Sequence, residues 1–172
     1  MFALAHLGIG LQGAKIVDRD PPLKPFLLGA LLPDLIDKPL YYGLSWATGK
    51  RGAELGLISG SRTFGHTILL TAAVYAAGAS RKSRALKAVA LGMATHLVLD
   101  WISEVWTTGT DFSLRASLRV FGWPLFGWRF PIYSFSGWQE HVASGLEPFM
   151  LVTESLGALL LIYEWRRRKR AI

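Results

Sequence analysis

None of the longer apolar segments of this chain runs free of ionisable residues. Asp34, Asp37, His66, His96, Asp100, Glu147 and Glu154 interrupt stretches that are otherwise rich in leucine, alanine, valine and aromatic residues. A carboxylate turned toward lipid costs roughly 2.5–3.5 kcal/mol on insertion scales. The fold must therefore turn these side chains inward, pair them with one another, or give them something to bind. The stretch MATHLVLDWISE, residues 93–104, states the problem most sharply: His96, Asp100 and Glu104 follow one another at intervals of four residues.

Composition sets the class. Residues of the AVILMFWYC set make up 51% of the 172-residue chain and 18% are charged, against about a quarter charged in an average soluble domain. The expectation is an all-α fold, a compact multi-helix membrane bundle with a polar metal-binding interior, formed by residues 1–172 as a single domain. There are no cysteines, which excludes disulfides, thiolate metal sites and a cysteine nucleophile, so a metal site would have to use histidine and carboxylate. The formal net charge of +7 comes from local clusters, RRRKR at 166–170 and SRKSRALK at 80–87. Both flank apolar segments, the pattern of basic loops held on the cytoplasmic side and attracted to anionic headgroups. No aromatic residues are interleaved with these runs, so nucleic acid is not an expected partner. The start, MFALAHLGIGLQGAK, has no basic leader and carries His6, so no cleavable signal is expected.

Along the chain, residues 2–17 read as an apolar, glycine-rich helix ending before DRDPPLKP. Residues 23–47 read as an apolar helix broken at Pro33 and Pro39, and 48–63 as a polar, glycine-rich loop. Helices are expected at 64–79 (short for a crossing of about 20 residues) and 85–106, with a last span at 146–165 before a basic cytoplasmic tail, 166–172. Residues 107–145, aromatic around VFGWPLFGWRFPIYSFSGW, read as interfacial or re-entrant. With both basic runs in the cytoplasm, His66, Asp100 and Glu104 fall near the outer end of their helices, at one level of a multi-pass protein.

Residues four apart share a helix face, so His96 and Asp100 point the same way and Glu104 follows one turn on. Such a pair can grip a divalent ion, or the aspartate can simply accept a hydrogen bond from the imidazole. In LLPDLID, residues 31–37, Asp34 and Asp37 follow Pro33. Proline suits the first position of a helix, which would put both aspartates in a first turn where the helix dipole favours anions; dipole compensation and metal ligation are the two readings. His66, in SRTFGHT, stands at the start of the next apolar helix, and His6 is alone among apolar neighbours. His141, in WQEHVAS, is expected in an exposed loop. Imidazole plus carboxylate without thiolate suits Zn2+, with Mn2+ or Fe2+ as alternatives, as one or two ions. A two-metal site activates water and stabilises charge on the attacked group.

The ordered series His6, LLPDLID, SRTFGHT and THLVLD resembles the YdjM-like family of membrane-bound metal-dependent hydrolases of bacterial inner membranes. The third motif of that family usually reads H-R-G-x-T-H-S and the fourth T-H-x-x-x-D, often followed by a WPF-type stretch, matched here by GWPLFGWRFPI at 122–132. The likeness covers roughly residues 1–135; beyond it, LEP at 146–148 offers Glu147 as an acidic residue before proline. Ser61, Thr63 and Gly65 depart from the third motif, whereas Arg62 and His66 are kept. The ligand order also resembles the all-helical, zinc-dependent phospholipase C and S1-type nuclease group.

The resemblance implies an inner-membrane protein in which Asp34, His66, His96 and Asp100 bind one metal, Asp100 bridges, and His6 helps bind a second. Asp37 would be a ligand or would orient a histidine. Asp34, Asp37 and Arg62 are the residues expected to take part in catalysis, with Arg62 suited to a substrate phosphate. The function expected is hydrolysis of a phosphoester, in a phospholipid or lipid-linked substrate. The rival readings are a non-catalytic membrane protein with a structural metal or polar His/Asp network, and a transporter or proton relay, whose polar residues would be strung across the membrane rather than gathered at one side.

Overall fold

A computed structural model describes residues 3–108, 110–131 and 147–170. The described residues are all-helical, with no strand among them. The helices are α1 (Ala3–Ala14), α2 (Leu23–Thr48), α3 (Ile68–Ser80), α4 (Arg84–Thr108), α5 (Thr110–Phe121) and α6 (Pro148–Arg170). His141 and residues 132–145 of the expected interfacial region lie outside the described residues.

α4 is the central element and packs against α1, α2, α3 and α5. Two short connections set the directions. Residues 15–22, closed by the rigid pair Pro21 and Pro22, reverse the chain between α1 and α2. Residues 81–83 reverse it between α3 and α4, where Ser83 N–H donates to the Gly78 carbonyl at 2.8 Å. Leu11, Ala14, Phe26, Ala30 and Ala88 form the buried core between α1, α2 and α4. Small residues bring α2 and α4 close together. A Cβ on Gly92 would lie 2.3 Å from the Phe26 carbonyl oxygen and 2.6 Å from the Ala30 nitrogen, so only glycine fits there.

Three elements differ from the sequence expectation. First, α2 is not broken at its prolines but runs through both Pro33 and Pro39. Packing against α4 outweighs what each proline costs in a helix interior. Asp34 and Asp37 consequently sit in mid-helix and not in a first turn, so compensation of the helix dipole does not explain them. Second, α3 begins at Ile68. Phe64–His66 form a separate 3-10 turn, and Thr67 caps α3 by accepting from Leu70 N–H at 3.1 Å. Third, the basic run 166–170 is the last turn of α6 rather than a tail beyond it. Cations suit a helix C-terminus, where unsatisfied carbonyls carry partial negative charge.

In the part of the expected interfacial or re-entrant region that is described, α5 is followed by a compact turn. In that turn Trp123 and Phe130 stack at 5.5 Å, and both rings meet Phe64 edge-on at 5.2 and 5.3 Å. The WPF-like stretch is thus packed on the SRTFGHT segment. One helix among the described residues, Arg84–Trp106, is long and apolar enough to cross a membrane by length and composition.

Candidate metal centre

Four elements deliver the site. α1 brings His6, α2 brings Asp34 and Asp37, the Phe64–His66 turn brings His66, and α4 brings His96 and Asp100. All three histidines are fully buried. The question is what each ring nitrogen faces, because a buried imidazole without partners is costly.

His96 Nδ1 lies 2.7 Å from the Ala30 carbonyl oxygen. A carbonyl only accepts, so Nδ1 carries the proton and a neutral His96 presents a lone pair at Nε2. Pro33, three residues on in α2, has no N–H to give the Gly29 carbonyl. His66 is fixed the same way. Its Nδ1 donates to Asp37 Oδ2 at 2.7 Å, so Nε2 again carries the lone pair. Asp37 is fully buried and also accepts from Thr63 N–H at 2.6 Å, Thr63 Oγ1 at 2.9 Å and Gly65 N–H at 2.9 Å. Its oxygens are spent on holding residues 63–66 in place. Gly65 is the residue that permits this, since a Cβ there would sit 2.6 Å from the Pro33 carbonyl oxygen.

The two Nε2 atoms lie 3.2 Å apart. Two lone pairs at that distance repel unless a proton or a cation lies between them. Asp34 Oδ1 is 3.7 Å from His66 Nε2, and Asp100 Oδ2 is 3.5 and 3.6 Å from the Nε2 atoms of His66 and His96. A tetrahedral ion with bonds of about 2.1 Å separates its ligands by about 3.4 Å, so these spacings fit a divalent metal. The ligand atoms of Asp34, His66 and His96 lie within 4.8 Å of one another, and so do those of His6, His96 and Asp100.

His6 stacks on His96 with ring centroids 3.8 Å apart. Its Nε2 is 3.2 Å from Asp100 Oδ1 but off line for a hydrogen bond, and neither ring nitrogen makes one among the described residues. His6 therefore faces one oxygen of Asp100 while His66 and His96 face the other. Arg62 Nε is 3.1 Å from Asp100 Oδ2, and Arg62 Nη1 donates to Glu104 Oε2 at 3.0 Å. Asp34 Oδ2 is taken by Lys38 Nζ at 2.7 Å. The side chains of Asp34 and Arg62 are 20% and 22% exposed, so the centre opens on their side.

The structure thus brings together His6, Asp34, Asp37, Arg62, His66, His96, Asp100 and Glu104. It also explains the spacing of His96, Asp100 and Glu104, which together form the wall that meets His6, His66 and Arg62. Two of the other interrupting carboxylates lie elsewhere. Glu154 accepts from the N–H groups of Leu4 and Ala5 at 2.9 and 3.0 Å, capping α1 from across the fold. Glu147, expected to face inward, is exposed just before α6, where the chain has not yet entered the packed helix. The Ala30 carbonyl had no sequence signal beyond the proline three residues later.

An all-helical chain with a buried His/Asp cluster able to hold a metal ion is the class that fold and site define. The model of the YdjM inner membrane protein family matches residues 1–169, and the chain belongs to that family. The match extends past residue 135, through α6. No curated protein and no solved structure matches the chain, so the likeness in ligand order to the phospholipase C and nuclease group rests on the sequence series alone.

Proposed function

We propose that this protein is a membrane-embedded, metal-dependent hydrolase that cleaves a phosphoester, with a lipid or lipid-linked substrate. The observation that carries the proposal is the pair of imidazole Nε2 lone pairs converging at 3.2 Å beside Asp34 and Asp100. A divalent ion, with Zn2+ favoured and Mn2+ or Fe2+ as alternatives, would acidify a water and withdraw charge from a phosphoryl oxygen. The residues supply the rest. His66, His96, Asp34 and Asp100 would hold the ion, while Asp37 and the Ala30 carbonyl fix the two imidazoles in the tautomer that leaves Nε2 available. Arg62 presents a guanidinium at the open side, suited to a phosphate.

A structural metal site is normally closed, whereas a catalytic one keeps an open position. Partial exposure of Asp34 and Arg62 above fully buried histidines favours the catalytic reading. Residence in the inner membrane with several crossings, and a cytoplasmic basic end, are part of the proposal. They are supported by exposed apolar side chains such as Leu69, Val98, Ile102, Leu159 and Ile162. Both basic runs also lie at one end, where Arg84 and Arg168 meet Asp18 and Asp20 at 3.7 and 2.8 Å. The test is turnover of phosphoester and lipid substrates by detergent-purified protein with and without Zn2+ or Mn2+, beside Asp100→Asn. Metal-dependent turnover lost in the variant is expected. Bound metal without turnover of any substrate would favour a structural metal.

A further inference from the structure

We propose that the open trough between α3, α4 and α5 binds an anionic phospholipid, with an acyl chain in the trough and the phosphate on Arg115 and Arg119. The inference needs residence in a membrane and stands apart from the metal centre. Two cavities lie along α4. One, of about 480 Å³, is walled by Leu97, Val98 and Trp101 of α4 and by Leu114, Leu118 and Phe121 of α5. The other, of about 420 Å³, extends toward Tyr75 and Lys87. Both are also lined by Ile68, Thr71 and Ala94, so they form one continuous trough. From Trp101 to Lys87 it follows α4 for about 21 Å at 1.5 Å per residue, more than the roughly 15 Å of hydrocarbon in one leaflet. Among the described residues no charged side chain lines the cavity beside α5. Ile68, Val98, Leu114 and Phe126 line it and are each more than half exposed, so the trough is open along its side.

Charge selects the headgroup. Arg115 and Arg119 are four apart and share a face of α5, and each follows a leucine that lines the trough, Leu114 or Leu118. Both arginines are exposed. Residues 112–131 carry three arginines and no acidic residue. α5 packs on α4 and on the Phe64–His66 turn, at the end of the bundle away from the basic runs 80–87 and 166–170. Arginines on that side go against the usual distribution of basic residues in a membrane protein. A lipid phosphate supplies their counter-ion, since a guanidinium binds phosphate through two parallel hydrogen bonds. An anionic headgroup adds what a zwitterionic one lacks, a net negative charge facing two cations.

The experiment is native mass spectrometry of detergent-purified, delipidated protein, titrated with phosphatidylglycerol and phosphatidylcholine of the same acyl chains. Phosphatidylglycerol should be held about tenfold more tightly than phosphatidylcholine, the weight of one charge-assisted hydrogen bond. Arg115→Gln combined with Arg119→Gln should abolish that preference, and Val98→Trp, which fills the trough, should weaken both lipids. Equal retention of the two lipids by the unaltered protein would overturn the proposal, and so would a preference that survives in the folded double variant. Full binding in folded Val98→Trp would place the lipid elsewhere and overturn it as well. Because the chain has no cysteine, Leu118→Cys reports on a rival occupant: a disulfide-linked dimer formed in native membranes would put a second copy over the trough in place of lipid. Should the double variant fail to fold, the two-lipid comparison on the unaltered protein still decides. None of these readouts depends on bound metal or on hydrolysis, so the metal-centre reading can fail without this one.

Discussion

Buried charge occurs at both ends of α1, and the two ends handle it differently. At the C-terminal end, Glu164 of α6 is 1% exposed, yet every oxygen is supplied from within the chain. Oε1 accepts from Arg167 at 2.8 Å and Arg168 at 2.7 Å, and Oε2 accepts from Arg167 at 3.0 Å and from Lys15. At the N-terminal end, Asp37 is saturated, but the Nε2 atoms of His66 and His96 face each other at 3.2 Å, and among the described residues neither ring nitrogen of His6 makes a hydrogen bond. A network that closes on itself fastens helices together. One that gathers imidazole nitrogens and carboxylates within ligand distance of one another could hold a metal ion, and the contrast separates scaffold from candidate site within one small bundle.

Substitutions can break that contrast, and the largest effect is expected at the open network. His96→Ala removes the nitrogen common to both ligand groups, and bound metal should fall to nothing in elemental analysis while the helical circular dichroism spectrum persists. Glu164→Ala should act in the opposite manner. It leaves Lys15, Arg167 and Arg168 without their shared carboxylate and should loosen the α1–α6 contact, read as a lower thermal midpoint in detergent, with metal content unchanged. Loss of metal in that variant would show that the two ends are coupled. Asp37→Asn keeps the shape but weakens the hold on His66. Its metal affinity should fall about 10–100-fold in calorimetric titration, with most of the thermal stability retained. Glu154→Ala should be mildest, costing about 0.5–2 kcal/mol, the range for a lost helix cap, with no change in metal affinity.

What could be read from the sequence followed locality. His96, Asp100 and Glu104 share a face because a helix repeats every few residues, and the scarcity of tolerable surroundings for Asp34 and His66 pointed inward whatever the topology. The partners of Glu154 lie about 150 residues away along the chain, and nothing local marks them. The prolines misled for a similar reason. Local preference says that a helix stops at Pro33, whereas tertiary packing carries α2 through it. Asp37 was visible as an aspartate in an apolar run, but its task became apparent only once residues 63–66 folded back onto it.

Phe64 stands two positions before His66, with its ring wedged against Trp123 and Phe130. A rotation of that aromatic clasp would swing the imidazole with it. The turn that carries Trp123 and Phe130 therefore has leverage over that imidazole. Substitutions on its outward side can tune the chemistry at a distance while leaving each ligand in the sequence untouched.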